Sequence, residues 1–174
     1  MTAVQVLRRF LPSVLITLGY WLKFGCFVSP RAEVDFTSNV RIGRRTKISS
    51  FCKIKAAVGP LTIGADTSIG AGCFIGAGGA ATTIGDDCLI SPHVTILASN
   101  YRYERLDVPI QEQGQTSRGV RIADNVWIGA GVVVLDGSDI GEGAIIVPNS
   151  VVSSRVPANA VAHGNPAKVV FTRR

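Results

Sequence analysis

Isoleucine returns every six residues along most of this chain, and that interval constrains the fold more than any other feature. Ile42, Ile48 and Ile54 are so spaced, as are Ile63, Ile69 and Ile75, and Ile84, Ile90 and Ile96; then come Ile122, Ile128, Val134, Ile140, Ile146 and Val152. An apolar period of six fits neither an α-helix, at about 3.6 residues per turn, nor an alternating strand, at about two. It predicts a coil of short strands and corners, three units to a triangular turn, with turns stacked at the strand spacing of roughly 4.8 Å. Four residues after these positions comes a small residue in all cases but Asn100: Thr46, Cys52, Val58, Thr67, Cys73, Gly79, Cys88, Val94, Val126, Val132, Ser138, Ala144, Ser150 and Val156. These are predicted to point inward with the isoleucines. Seven of the isoleucines are followed by glycine (Gly43, Gly64, Gly70, Gly76, Gly85, Gly129, Gly141), where an unusual backbone angle is expected.

The beat is interrupted between Ile54 and Ile63, between Ile75 and Ile84, and at length between Ile96 and Ile122. Counted in threes from Ile42, each break follows the third face of a turn. All three insertions are therefore predicted to leave one corner of the prism, and loops gathered on one edge of a repeat scaffold are where binding chemistry is usually built.

Four cysteines are few for a disulfide framework, and Cys52, Cys73 and Cys88 occupy the small inward position, so they read as buried core. With no CxxC and only two histidines, His93 and His163, no metal site is expected, which also disfavours a metal-dependent hydratase built on three histidines. The net charge of +6 is local: residues 1–55 hold ten Lys and Arg against Glu33 and Asp35. A basic end implies a local anionic partner, and without an aromatic-rich basic sheet a nucleic-acid partner is not expected. Near that end Val4, Leu7, Leu11, Val14, Leu15, Leu18 and Leu22 form an apolar stripe, predicting an amphipathic helix bent or restarted at Pro12. The run is too short to span a bilayer. Two readings stand: a helix capping the open end of the coil, or an interfacial anchor aided by Arg41, Arg44, Arg45, Lys47, Lys53 and Lys55. The expected division is a helix over 1–24, a coil over 25–156 with its long loop at 97–119, and a cap over 157–174.

The hexads, the string Asn125-Val126-Trp127-Ile128-Gly129 and the closing Gly164-Asn165-Pro166-Ala167-Lys168 together resemble the hexapeptide-repeat acyltransferases, in particular the maltose, galactoside and polysaccharide O-acetyltransferases. The resemblance covers residues 36–171. It implies a left-handed parallel β-helix, a homotrimer, and sites in grooves between coils that hold acetyl-CoA. It places cofactor contacts at Trp127, Ala130, Pro148, Ser153, Ser154 and Lys168. Where such chains often carry Thr-Lys this one has Ser153-Ser154, leaving Lys168, Arg173 or Arg174 to supply a phosphate-side cation.

The same resemblance places a general-base histidine after an asparagine at the start of the long loop, and here Asn100 is followed by Tyr101. An imidazole near pKa ~6.5 can take a hydroxyl proton at neutral pH, whereas a phenol near ~10 cannot unless perturbed. Candidate replacements are His93, His163 and the loop carboxylates Glu104, Asp107 and Glu112, with Tyr101 and Asn100 left to orient the acceptor or an oxyanion. The expected function is transfer of acetyl from acetyl-CoA to a sugar hydroxyl of a surface polysaccharide or its lipid-linked precursor, in the cytoplasm or at the inner face of the membrane. The alternative is a catalytically impaired trimeric scaffold of a glycan-assembly complex.

Overall fold

The computed structural model describes residues 13–56 and 58–174. They form a left-handed parallel β-helix whose two- and three-residue strands stack into three flat faces. One face has eight strands and the other two have six each. The isoleucines make vertical ladders. Ile48, Ile69, Ile90, Ile128 and Ile146 stand in register on the first face, Ile54, Ile75, Ile96, Val134 and Val152 on the second, and Ile42, Ile63, Ile84, Ile122, Ile140 and Val156 on the third. All are buried, and each isoleucine removed from water contributes roughly 1.5–3 kcal/mol. The short residues alternate with them, and Cys52, Cys73 and Cys88 are free, buried thiols as expected.

The three interruptions do share one corner, between the second and third faces. The coil also begins earlier than the isoleucines do. Val28 and Val34 pair with Ile48 and Ile54 and are fully buried, so the stretch from Val34 to Ile42 adds another irregular interval at the same corner. At the far end Val156 takes the ladder place beside Ile140 only four residues after Val152, so that corner is shortened. Every change of coil length falls there.

Two expectations need correction. Val58 and Gly79 do not point inward: both are exposed, Val58 at 75%. They lie in the insertions, and the inward place is filled by Leu61 and Thr82, two residues before the next isoleucine. Nor do the glycines after isoleucine adopt positive φ. For six of the seven, all but Gly76, a Cβ would lie 2.1–2.5 Å from atoms of the neighbouring coil, so these positions are glycine because the corners nest. The left-handed residues come three positions after the ladder residue instead, at Arg45, Phe51, Asp66, Gly72, Asp87, His93, Asn125, Gly131, Gly137, Gly143, Asn149 and Asn159. Each turns the chain from one face to the next.

Both ends are closed. The helix Ser13–Phe24 lies over the first turn, and Gly25 with φ 64° leads out of it. Among the described residues no coil precedes the strands that carry Val28 and Val34; the Thr17 hydroxyl donates to the Val28 carbonyl at 2.8 Å and the Tyr20 hydroxyl to the Val34 carbonyl at 2.9 Å. Tyr20 is buried, with its ring against Phe24 and Phe36. The aliphatic stripe of Leu15, Leu18 and Leu22 faces outward, and the covering face is Thr17, Tyr20 and Phe24. Val4, Leu7 and Leu11 lie outside the described residues. At the other end Ala160–Gly164 completes the first face and turns back into an antiparallel strand, Ala167–Thr172.

Candidate active site

The long loop leaves the second face after Ala98 and returns at Val120. Its base is a two-stranded antiparallel ribbon in which Asn100–Tyr101 pairs with Gln115–Thr116. The base rests on the earlier insertions. Ser117 donates its hydroxyl hydrogen to the Ala98 carbonyl at 2.5 Å and accepts the Ala80 amide at 2.9 Å. A Cβ at Gly78 would lie 2.1 Å from the Ala98 oxygen, so only glycine lets the layers approach. Above the base, the Gln113 side chain donates to the carbonyls of Arg105 and Val108 and accepts the Arg105 amide, which fixes the loop's bend.

Beside the base opens a cleft lined by Asn100, Tyr101, Tyr103, Glu104, Thr116, Arg118 and Asp136. Asp136 is the buried group among them, 4% exposed. Its carboxylate accepts the amides of Arg118 and Gly119, each at 2.8 Å, and the Asn100 side-chain amide at 3.4 Å. One carboxylate thus ties the outgoing and returning strands of the loop together and orients the Asn100 amide. With its oxygens already taken up by these donors, the carboxylate positions the groups around it. Sequence reasoning passed over it. The available signal was an acid at the corner of the coil that follows the loop, where the returning chain must settle. Asp136→Ala would leave two backbone amides without an acceptor. It is expected to destabilise the fold by about 2–4 kcal/mol in urea unfolding and to speed amide exchange at Asn100 and Tyr101.

The other candidates are divided between two corners. Tyr101, half-exposed, and Asn100 stand in the cleft; Ser153 and Ser154 are exposed at the same corner two turns further along. His93, Ala130 and Pro148 are exposed at the opposite edge of the second face, between the first and second faces. His93 is a left-handed corner residue with φ 60°, its ring packed over Gly72, where a Cβ would be 2.6 Å from Nδ1. The strand Thr95–Leu97 separates it from Asn100, a path of roughly 20 Å at about 3.3 Å per residue. Trp127 lies on the outer side of the first face, its indole N–H donating to Ser91 Oγ at 3.2 Å. Lys168 is exposed on the terminal strand opposite His163, and Arg173 donates to the Gly143 carbonyl at 2.8 Å.

Of the carboxylates, Glu104 lines the cleft while Glu112 sits outside it in the short 3-10 turn Ile110–Glu112, exposed. The Arg105 guanidinium holds the Asp107 carboxyl below the usual range, the wrong direction for a neutral-pH base. Neither histidine lines the cleft.

Residues 119–154 match the family described as Bacterial transferase hexapeptide (six repeats). A protein of Mycobacterium tuberculosis named "Probable acetyltransferase Rv3034c" is 33% identical over 151 residues, 85% of this chain and 50% of that protein. A protein of Escherichia coli K12 named "Putative lipopolysaccharide biosynthesis O-acetyl transferase WbbJ" is 28% identical over 174 residues, 93% of this chain and 86% of its own length. Among solved structures, a variant of the N-acyltransferase AntD of Bacillus cereus, in complex with dTDP and coenzyme A, superposes with a TM-score of 0.76 over 86% of this chain and 82% of that one. It is 23% identical and speaks to the fold alone. The chain spans about half the length of several curated relatives it matches. The isoleucine ladders and the one-corner insertions agree with these matches: residues 119–154 carry the hexapeptide repeat of bacterial transferases, and the chain as a whole is similar to proteins named as acetyltransferases.

Proposed function

We propose that this chain is an O-acyltransferase that moves an acetyl group from acetyl-CoA to a sugar hydroxyl in the assembly of a surface polysaccharide such as capsule, exopolysaccharide or O-antigen. In that reaction the hydroxyl oxygen attacks the thioester carbon, a C–O bond forms, the C–S bond breaks, and the hydroxyl proton leaves with a base while CoA departs as thiolate. The observation that carries the reading is the cleft at the loop base, where Asp136 fixes Asn100 beside Tyr101 and Arg118 at the corner that collects every insertion. The similarity over most of both chains to a protein named for O-acetyl transfer in lipopolysaccharide biosynthesis supports the sugar class.

The split of candidates between two corners supports a homotrimer. Ala130, Pro148 and His93 cannot meet the loop within one protomer, but adjoining prisms bring one protomer's first-to-second corner against its neighbour's loop corner. Trp127, Ala130, Pro148, Ser153, Ser154 and Lys168 then line the groove for acetyl-CoA, and His93 of one protomer and Tyr101 of another share the acceptor end. The cytoplasm, at the inner face of the membrane, is the compartment that supplies both acetyl-CoA and lipid-linked glycans.

One observation favours a second reading, a catalytically impaired scaffold: the cleft holds two phenols, Tyr101 and Tyr103, and no imidazole. Calorimetry with acetyl-CoA, light scattering for mass, and transfer of labelled acetyl to sugar acceptors separate the two. Binding with turnover by a trimer is the expected result. Binding without turnover on any acceptor selects the scaffold, and absence of binding removes the enzyme.

A further inference from the structure

The helix Ser13–Phe24 has done its structural work with one face, yet its other face is more apolar. Leu15, Leu18 and Leu22, spaced for one side of a helix, are 51%, 45% and 69% exposed, and Trp21 beside them is 59% exposed. This surface is the axial end of the prism, since the opposite face of the helix covers the first turn through Thr17 and Tyr20. It is rimmed by cations. Lys23 stands over the rings of Phe24 and Phe36, and Arg44 and Lys47 are exposed on the second turn, one coil spacing below. Neither Arg44 nor Lys47 has a salt-bridge partner among the described residues, whereas Arg45 and Lys55 are engaged by Asp66, Glu33 and Asp35.

We propose that this end docks on an anionic bilayer surface, with the leucine face of the helix in the headgroup region and Lys23, Arg44 and Lys47 against the lipid charges. Charge decides between occupants. A second copy meeting end to end would set the same cations against one another, while an anionic surface neutralises them. The surface is a convex apolar stripe on a helix rather than a groove, the form suited to lying in an interface. No helix among the described residues is long and apolar enough to cross a membrane, so contact of this kind is peripheral.

The inference rests on the proposed assembly in one respect. A three-fold axis parallel to the coils points all three helices the same way, so three weak contacts act as one and the grooves stand at a fixed height above lipid-linked acceptors. The docking face itself does not depend on acetyl transfer.

Flotation of the full chain with phosphatidylglycerol–phosphatidylcholine vesicles, against pure phosphatidylcholine vesicles, tests it. The chain is expected to float with the first and not the second, and less so as salt rises. Leu18→Glu with Leu22→Glu should reduce bound protein about tenfold or more while leaving circular dichroism and acetyl transfer to a soluble sugar unchanged. Arg44→Glu with Lys47→Glu should reduce binding and flatten its salt dependence. The proposal is overturned if the unaltered chain ignores anionic vesicles, if the leucine variant floats equally well, or if that variant halves the assembly mass in lipid-free sedimentation, which would assign the face to a second copy. Loss of transfer to every soluble sugar in the unaltered chain would strike the enzyme reading and leave the docking result standing.

Discussion

Tyr101→His is expected to raise the rate of acetyl transfer to a sugar hydroxyl by about a hundredfold or more, the usual worth of a placed general base. Tyr101 is half-exposed at the start of the loop, its backbone paired with Gln115, and its ring fills no core space. The exchange should therefore leave stability within about 0.5 kcal/mol. Its neighbour Asn100 is already oriented by Asp136, so an imidazole next to it inherits a fixed base rather than a floppy one. The pH profile supplies a second readout. The variant's rate should climb through roughly pH 6.5 as the imidazole loses its proton, an inflection the tyrosine chain has no reason to show there. Steady-state kinetics with matched acceptors check both. A rate and profile unchanged by the substitution would remove position 101 from the chemistry and shift weight to His93 of a neighbouring protomer, for which His93→Gln is the corresponding loss test.

Gly64→Ala is expected to cost about 3 kcal/mol, large for a single methyl group. The added carbon would stand 2.3 Å from Asp86 Oδ1 and 2.4 Å from the Gly85 carbonyl carbon, and the nearest of these atoms belong to the coil above, itself locked by Gly85 against Asp124. Relief requires opening the spacing between two coils, which lengthens backbone hydrogen bonds such as Gly64 N–H to the Ile84 carbonyl, 2.8 Å in the native fold. Thermal melts at one protomer concentration should place the midpoint roughly 6–12 °C lower. Gly19→Ala is the internal control with the opposite sign. No atom of the described residues outside its own helix lies within 4 Å of that position, so the helix gains up to about 1 kcal/mol. Equal behaviour of the two glycines would contradict the nesting of corners.

Much of the scaffold is legible in the spacing of one residue type, because a ladder needs the same side chain at the same height in each turn. The corner that carries the insertions follows from the same count. What the count misses is instructive. It runs forward from each isoleucine and so assigns Val58 and Gly79 to the core, while the chain resets its phase backward from the next isoleucine, where Leu61 and Thr82 sit. It starts too late, since Val28 and Val34 occupy ladder positions without being isoleucine. The helix defeats a reading by hydrophobicity alone. Leucines outnumber the ring that wins, but Tyr20 brings a hydroxyl to the Val34 carbonyl at the end of the coil, and that polar contact outweighs aliphatic area.

The site was less legible than the scaffold for a geometric reason. A motif string records neighbours in sequence, while Trp127 stands on the first face, Ala130 and Pro148 on one edge of the second, and Ser153, Ser154 and Tyr101 on its other edge. Asp136 escaped notice because an acid beside a corner glycine looks solvated until the returning loop is seen to bury it.

The concentration of length changes at one corner bears on how such a chain can diversify. Residues added there, as between Ile96 and Ile122, or removed there, as between Val152 and Val156, leave the pairing of Ile90 with Ile128 and of Ile140 with Val156 intact. Added at either of the other corners they would collide with the nested glycines and throw the ladder out of step. The molecule thus separates one variable edge from two regular ones. New loops can be spliced, lengthened or exchanged at the first while the other two keep the coil in time, and a library built by grafting at residues 99–117 would vary the cleft without resampling the fold.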